Sequence, residues 1–166
     1  MNRQRGIQDI KAAPIFRSND SPSSFTPHMS INSGSVYRLI NAKAGTALDL
    51  SGGDNSSIIG YPYHEGANQK WLLEWTGKGW TFKSSSNGLY LTLSGTATDG
   101  TRLTVGSTPM EWHVWPDNLD SSVYRHVSPV SRSDLWAQGD PTPGTPITLW
   151  YRWNGRHQTW KFEAGE

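Results

Sequence analysis

The chain has 166 residues, a formal net charge of +1 and no cysteine. That length suits one domain, and the balanced charge excludes binding by phosphate neutralisation or by a polybasic membrane patch. No apolar stretch approaches the roughly 20 residues of a spanning helix, and the lack of thiols rules out disulfides and thiolate metal sites and favours a reducing, cytoplasmic location.

Nine Trp, seventeen Gly and ten Pro stand among many Ser and Thr. This is the composition of a turn-rich all-β domain. Residues 1–34 differ from the rest of the chain. They are rich in Ser, Pro and Asn, and such a segment buries too little to offset its ordering entropy. A flexible, mostly irregular N-terminal extension is therefore expected over 1–34, with a short helix near 6–13. Met29 offers a second start, so residues 1–28 read as an upstream extension or a leader.

From residue 35 to 166 short strand-like runs alternate with turn clusters. VYRLIN is followed by AKAG, ALDL, SGGDN and SIIGY. WLLEW is followed by TGKG and WTF, and LYLTL by SGTATDG and TRLTV. Strands at roughly 8–12-residue spacing with Gly-rich turns predict a sandwich or barrel.

The segments NQKW and HQTW end two of these stretches, and a third Trp falls between them. Trp71, Trp112 and Trp160 are separated by 41 and 48 residues. About ten residues before each lies a similar run: SIIGY, RLTVG and PITLW. Further upstream lie ALDL, YLTL and LWAQ, and each unit opens with a strand: VYRLIN, WTFKSS and VYRHVS. Three units of about four strands are too few for propeller blades. They predict a pseudo-threefold barrel closed at one end by hairpins, with the three Trp side chains as its core.

The order LDL, IIGY, NQKW resembles the ricin B-type β-trefoil lectins, and the disulfide-free mushroom members most of all. The resemblance covers residues 36–166. It implies a β-trefoil fold and a sugar-binding module with up to three pseudo-equivalent pockets and no cofactor. In each pocket an acid near the end of the second strand takes sugar hydroxyls, and a ring after the third strand stacks on the sugar. An Asn before the Gln-any-Trp triplet adds polar contacts, and the Gln helps hold the acid. Glycans of galactose or GalNAc type are the implied partners, and a homodimer would give a weak site avidity.

The first unit carries every part. Asp49 stands at the acid position, where a carboxylate accepts several strong hydrogen bonds. Tyr61 stands at the stacking position, His64 lies in the loop between them, and Asn68 offers donor and acceptor. Asp49, Tyr61 and His64 also have plainer readings: a turn Asp, a half-buried packing Tyr, a solvated loop His. The second unit has Thr92 and Gly106 at the acid and ring positions and Met110 at the Gln position, so no sugar binding is expected there. The third unit has two readings: a core and surface aromatic cluster, or a weaker secondary site that relies on stacking, built from Trp150, Trp153 and His157. Its acid position falls on Trp136, or on Ala137 after a shift of one residue.

No catalytic motif is present, and the five His residues have no metal-ligand spacing, so neither an enzyme nor a metal site is expected. Asp49 has Glu65 and Asp54 as neighbours, but both lie in loops, and a glycosidase needs two carboxylates flanking one bond. Two alternatives share the fold. One is a trefoil protease inhibitor acting through exposed loops. The other is a lectin-like companion subunit of a larger protein, its interface formed by Trp136, Trp150, Tyr151 and Trp153.

Overall fold

The computed structural model describes residues 31–127, 134–138, 140–152 and 155–165. Residues 1–30 of the expected 1–34 extension, its short helix and Trp153 lie outside these residues. Ile31 is buried, and the residues after it are bonded to the barrel: Asn32 N–H donates to the Tyr37 hydroxyl, and Gly34 N–H to the Leu73 carbonyl.

Thirteen strands form one sheet system among the described residues. The first unit holds β1 (Ser35–Asn41), β2 (Ala47–Leu50), β3 (Ile58–Tyr61) and β4 (Trp71–Trp75). The second holds β5 (Trp80–Ser84), β6 (Tyr90–Leu93), β7 (Leu103–Gly106) and β8 (His113–Pro116). The third holds β9 (Tyr124–Val127), β10 (Asp134–Ala137), β11 (Thr145–Pro146), β12 (Thr148–Tyr151) and β13 (Trp160–Ala164).

The first and last strands of each unit make the barrel. β13 pairs with β1, β1 with β4, β4 with β5, β8 with β9, and β9 with β13. A bridge between Trp80 and Trp112 closes the remaining gap between the fifth and eighth strands. Alternation sets the inward face. In β1, Tyr37, Leu39 and Asn41 are buried, while Val36, Arg38 and Ile40 between them are only half-buried. Strands of this pattern must lay their apolar face on a shared core, and closing the sheet removes its edges.

The middle strands form three hairpins, β2–β3, β6–β7 and β10–β12. They meet around the pseudo-threefold axis. Ile147 N–H donates to the Ile58 carbonyl at 3.0 Å, and Leu103 N–H to the Ile147 carbonyl at 3.0 Å. These three residues hold equivalent register positions and all are buried. Barrel, three hairpins and threefold repetition make the fold a β-trefoil.

The repeated Trp residues do the same work in each unit. Trp71, Trp112 and Trp160 have no exposed surface. Each indole N–H donates to a carbonyl of its own hairpin: Leu48 at 3.1 Å, Leu91 at 3.1 Å, and Trp136 at 3.3 Å. Burying an indole needs this partner, because an unpaired polar group in the core is costly. The repeated bond also fixes equivalence: Leu48, Leu91 and Trp136 correspond, so Asp49, Thr92 and Ala137 share the acid position.

Trp136 is fully buried, which corrects its place among the surface rings of a companion interface. It packs edge-on to Phe82 at 5.1 Å, Trp112 at 5.0 Å and Trp160 at 6.5 Å between ring centroids. A side chain read as interface from composition is the centre of the core.

Candidate functional site

The strand β2 reads ALDL, and all four residues are buried. Leu48 and Leu50 face one side. Asp49 faces the other, with its side chain 3% exposed. A carboxylate is seldom so deeply placed without partners, and Asp49 has them. Gln69 Nε2 donates to its Oδ2 at 2.8 Å, and Asn68 Nδ2 to its Oδ1 at 3.2 Å. The His64 Nε2 atom stands 3.9 Å from Oδ2. Burial pushes the Asp49 carboxyl above the usual carboxylate range, and the Gln69 bond, the His64 imidazole and the Asn68 bond hold that rise back.

Tyr61 lies across the same hairpin. Asp49 is registered with Ile59, and Ala47 with Tyr61. Side chains two apart on an antiparallel pair share a face, so acid and phenol ring stand on one side of the hairpin. Tyr61 is 42% exposed. Its ring lies 6.3 Å from the His64 ring, edge to face. The four residues expected from the sequence are thus brought together: a buried acid as floor, an amide beside it, an imidazole and an open aromatic face as rim.

The connecting loop is held from three directions. Gln69, with no exposed surface, donates to the Pro62 carbonyl at 2.9 Å and accepts from His64 N–H at 2.8 Å. Residues Ala67–Gln69 form one 3-10 turn, entered through Gly66. A side chain at position 66 would occupy the space of the Asn68 amide and the His64 ring, so only glycine permits the approach. Arg38 supplies the third hold. Its guanidinium lies 4.4 Å over the Tyr63 ring and bonds Glu163 at 2.7 Å. Nothing in the sequence marks this clamp, because Arg38 and Glu163 are far apart along the chain.

The other carboxylates near the acid are turned elsewhere. Asp54 bonds the Ser56 and Ser57 amides and the Ser57 hydroxyl inside its own turn. Glu65 is exposed, at a left-handed φ of 67° where the loop reverses. Among the described residues no three His, Asp or Glu side chains converge as metal ligands would.

The second hairpin has lost this chemistry. Thr92 donates to the Met110 sulfur at 3.4 Å, and Gly106 stands where Tyr61 stands in the first. Neither a charged acceptor nor a ring stands at these two positions; the ring of this hairpin is Tyr90, the register partner of Gly106.

The third hairpin keeps the ring and loses the acid. Trp150 occupies the Tyr61 position and is 46% exposed, its indole N–H donating to Thr148 Oγ1 at 2.7 Å. Ala137, not Trp136, fills the acid position. Gln158 is buried like Gln69, but its Oε1 accepts from Arg125 at 3.3 Å, and its Nε2 donates to the Tyr151 carbonyl at 2.9 Å. Arg125 is itself buried and pairs with Asp117 at 2.5 Å. Burial pushes the Asp117 carboxyl up, but Arg125 and the Leu119 and Asp120 amides outweigh this and hold it below its ordinary value. Burial lowers the His157 imidazole, and the Lys43 and Arg125 charges lower it further. Asp140, a nearby acid, is bonded to Thr142 in its own loop. The first repeat thus has Asp49 at the shared acid position, whereas the third has Ala137 there, with Arg125 bonded to Gln158 behind it.

The barrel and its three hairpins define the β-trefoil class, with an acid at the shared position of the first hairpin alone. The family model for ricin-type beta-trefoil lectin domain-like proteins matches residues 24–106 and 67–150. Among solved structures, the Macrolepiota procera ricin B-like lectin in complex with lactose is 48% identical, with a TM-score of 0.80, over 82% of this chain and 99% of that one. The Rhizoctonia solani agglutinin is 26% identical, with a TM-score of 0.74, over 84% of this chain and 99% of its own. ThreeFoil, a designed 3-fold symmetric protein, is 22% identical, with a TM-score of 0.70, over 76% and 96%, and at that identity it speaks for the fold alone. No curated protein sequence matches the chain. The chain belongs to the ricin-type β-trefoil lectin domain-like family.

Proposed function

We propose that the protein binds glycans of the galactose or GalNAc type, without turnover, through the first-repeat pocket of Asp49, Tyr61, His64 and Asn68. The observation that carries this reading is the Asp49 carboxylate, 3% exposed and held by Gln69 and Asn68, on the same hairpin face as an open phenol ring. A buried carboxylate at the floor of the site is suited to vicinal hydroxyls, since hydrogen bonds to a charged group contribute about 1.5–3 kcal/mol each. The weakly positive C–H face of a sugar suits the negative face of Tyr61. The Macrolepiota procera lectin, solved with lactose, makes lactose the first probe. Isothermal titration with lactose, and a glycan array for breadth, test the reading. An array with no galactose-terminated signal overturns it.

The pH dependence has a defined sign. Sugar binding needs ionised Asp49, and burial raises its folded-state pKa above the ordinary value. Lactose affinity is therefore expected to hold at neutral pH and fall on acidification, with a midpoint above the ordinary Asp value of about 3.9. Asp49's contribution to stability runs the other way. A raised folded pKa favours the fold below the unfolded pKa and loses that advantage as pH rises through the folded pKa. Titrations at stepped pH, beside thermal melts in the same buffers, check both signs.

A further inference from the structure

Gln138 follows the third repeat's acid position, where the other two repeats have Leu50 and Leu93. It is the polar member of that set. The residue preceding the stacking position breaks the symmetry in the complementary sense. Repeats two and three have Val105 and Leu149 there, and repeat one has Gly60. The two departures meet. A Cβ built on Gly60 would fall inside the carboxamide of Gln138. The side chain of the third repeat thus occupies the space that a side chain at position 60 would need.

The carboxamide is bonded at both ends. Thr46 Oγ1 donates to its Oε1 at 2.5 Å, and its Nε2 donates to the Asp140 carbonyl at 2.8 Å. Gln138 is 1% exposed and Thr46 6%, so the bond between them is shielded from water. Thr46 directly precedes Ala47, and Ala47 is the register partner of Tyr61. Gly60 directly precedes Tyr61. The loop beyond Gln138 runs along the same strand: Gly144 N–H donates to the Gly60 carbonyl at 2.8 Å, and Thr145 pairs with Gly60. Gln138 therefore touches both chain segments at the root of the exposed phenol ring and is tied to the loop that borders it.

We propose that Gln138 is a positioning residue for the first-repeat pocket, supplied by the third repeat, which sets where Tyr61 stands over Asp49. This rests on the reading of that pocket as the sugar site. A Leu at position 138 would match the other repeats in apolar character but make neither bond, and Thr46 and the Asp140 carbonyl would lose their partner. The hairpin root would then relax, and a ring displaced by a fraction of an ångström stacks poorly.

The test measures lactose affinity well below each variant's melting temperature, so that loss of stability does not enter. Gln138→Leu is expected to weaken binding about tenfold, comparable to losing one aromatic contact. Thr46→Val, which keeps the shape and removes one donor, is expected to weaken it by about half that factor and guards against a Leu variant that does not fold. Leu91→Ala, a core lesion of the second repeat, lowers the melting temperature and leaves affinity unchanged. With 3-fluorotyrosine incorporated, the Tyr61 fluorine resonance, assigned through Tyr61→Phe, shifts in the Gln138 and Thr46 variants and not in Leu91→Ala. Wild-type affinity with an unmoved Tyr61 signal in the folded Gln138 or Thr46 variant overturns the inference. Asp49→Asn separates the two claims. If it binds lactose like wild type, the pocket reading itself fails. If it does not bind and Gln138→Leu binds like wild type, only the positioning role fails.

Discussion

Asp49→Asn is expected to abolish lactose binding while leaving the protein as stable as wild type or more so. The two effects share one cause. The carboxylate is almost wholly buried, and burial is the largest influence on it, raising its pKa despite bonds from Gln69 and Asn68. At neutral pH the fold thus carries an ionised group it would hold more easily neutral. Asn keeps the shape and can still accept from Gln69 through its amide oxygen. What it lacks is charge and a second acceptor oxygen, and those are what sugar hydroxyls require. Calorimetric titration should show no lactose heat, and the thermal melt should be unchanged or shifted upward. A variant that binds normally would place the sugar elsewhere on the molecule. A variant that unfolds would show Asp49 to be a structural residue. Asp49→Ala would give a less clear answer, because it opens a space and leaves the Gln69 amide short of a partner.

Much of this was legible in the sequence. Three Trp residues at similar spacing, each preceded by the same succession of runs, give the repeat. The repeat gives the trefoil, since one unit cannot bury its own apolar face. The grouping of Asp49 with Tyr61 was legible for the same reason. Asp49 and Tyr61 lie on the two strands of one short hairpin, and a period of two places them on one face.

The third pocket shows where this reasoning stops. Its acid position differs between Trp136 and Ala137 by one residue, and in a strand one residue is the difference between faces. Sequence spacing cannot decide that, but the repeated indole-to-carbonyl bond does. It assigns Ala137 to the acid position and Trp136 to the core. The Arg125–Asp117 pair, the Arg38 clamp on Tyr63 and the contact of Gln138 with Gly60 were not legible at all. The Arg125–Asp117 pair lies within the β8–β9 hairpin, but the other two join segments that only the folded repeats bring together, and no local pattern foreshadows them. Gln138 and Gly60 become conspicuous only after the repeats are superposed residue by residue.

The second repeat gives the largest effect expected on stability, and it does so away from the Asp49 hairpin. Trp112 has no exposed surface, lies 5.0 Å from the Trp136 ring and donates to the Leu91 carbonyl at 3.1 Å. Its backbone exchanges both hydrogen bonds with Trp80, at 2.8 and 2.9 Å, which closes the barrel. Trp112→Ala keeps those backbone bonds and removes the indole, so the expected cost is about 3–5 kcal/mol. That is a large share of the roughly 5–15 kcal/mol that holds a typical domain folded. Trp112→Phe restores much of the volume and loses the N–H, leaving the buried Leu91 carbonyl short of a partner at about 1–3 kcal/mol. Urea unfolding should rank wild type first, the Phe variant second and the Ala variant last. At a temperature where all remain folded, lactose affinity should be the same for each, because the hairpin that Trp112 supports carries Thr92 and Gly106 in place of acid and ring. The same change at Trp71 would not separate core from site, since its indole bonds the residue next to Asp49. Loss of binding in folded Trp112→Ala would mean that the degenerate repeat contributes to the pocket and that the three hairpins do not act independently.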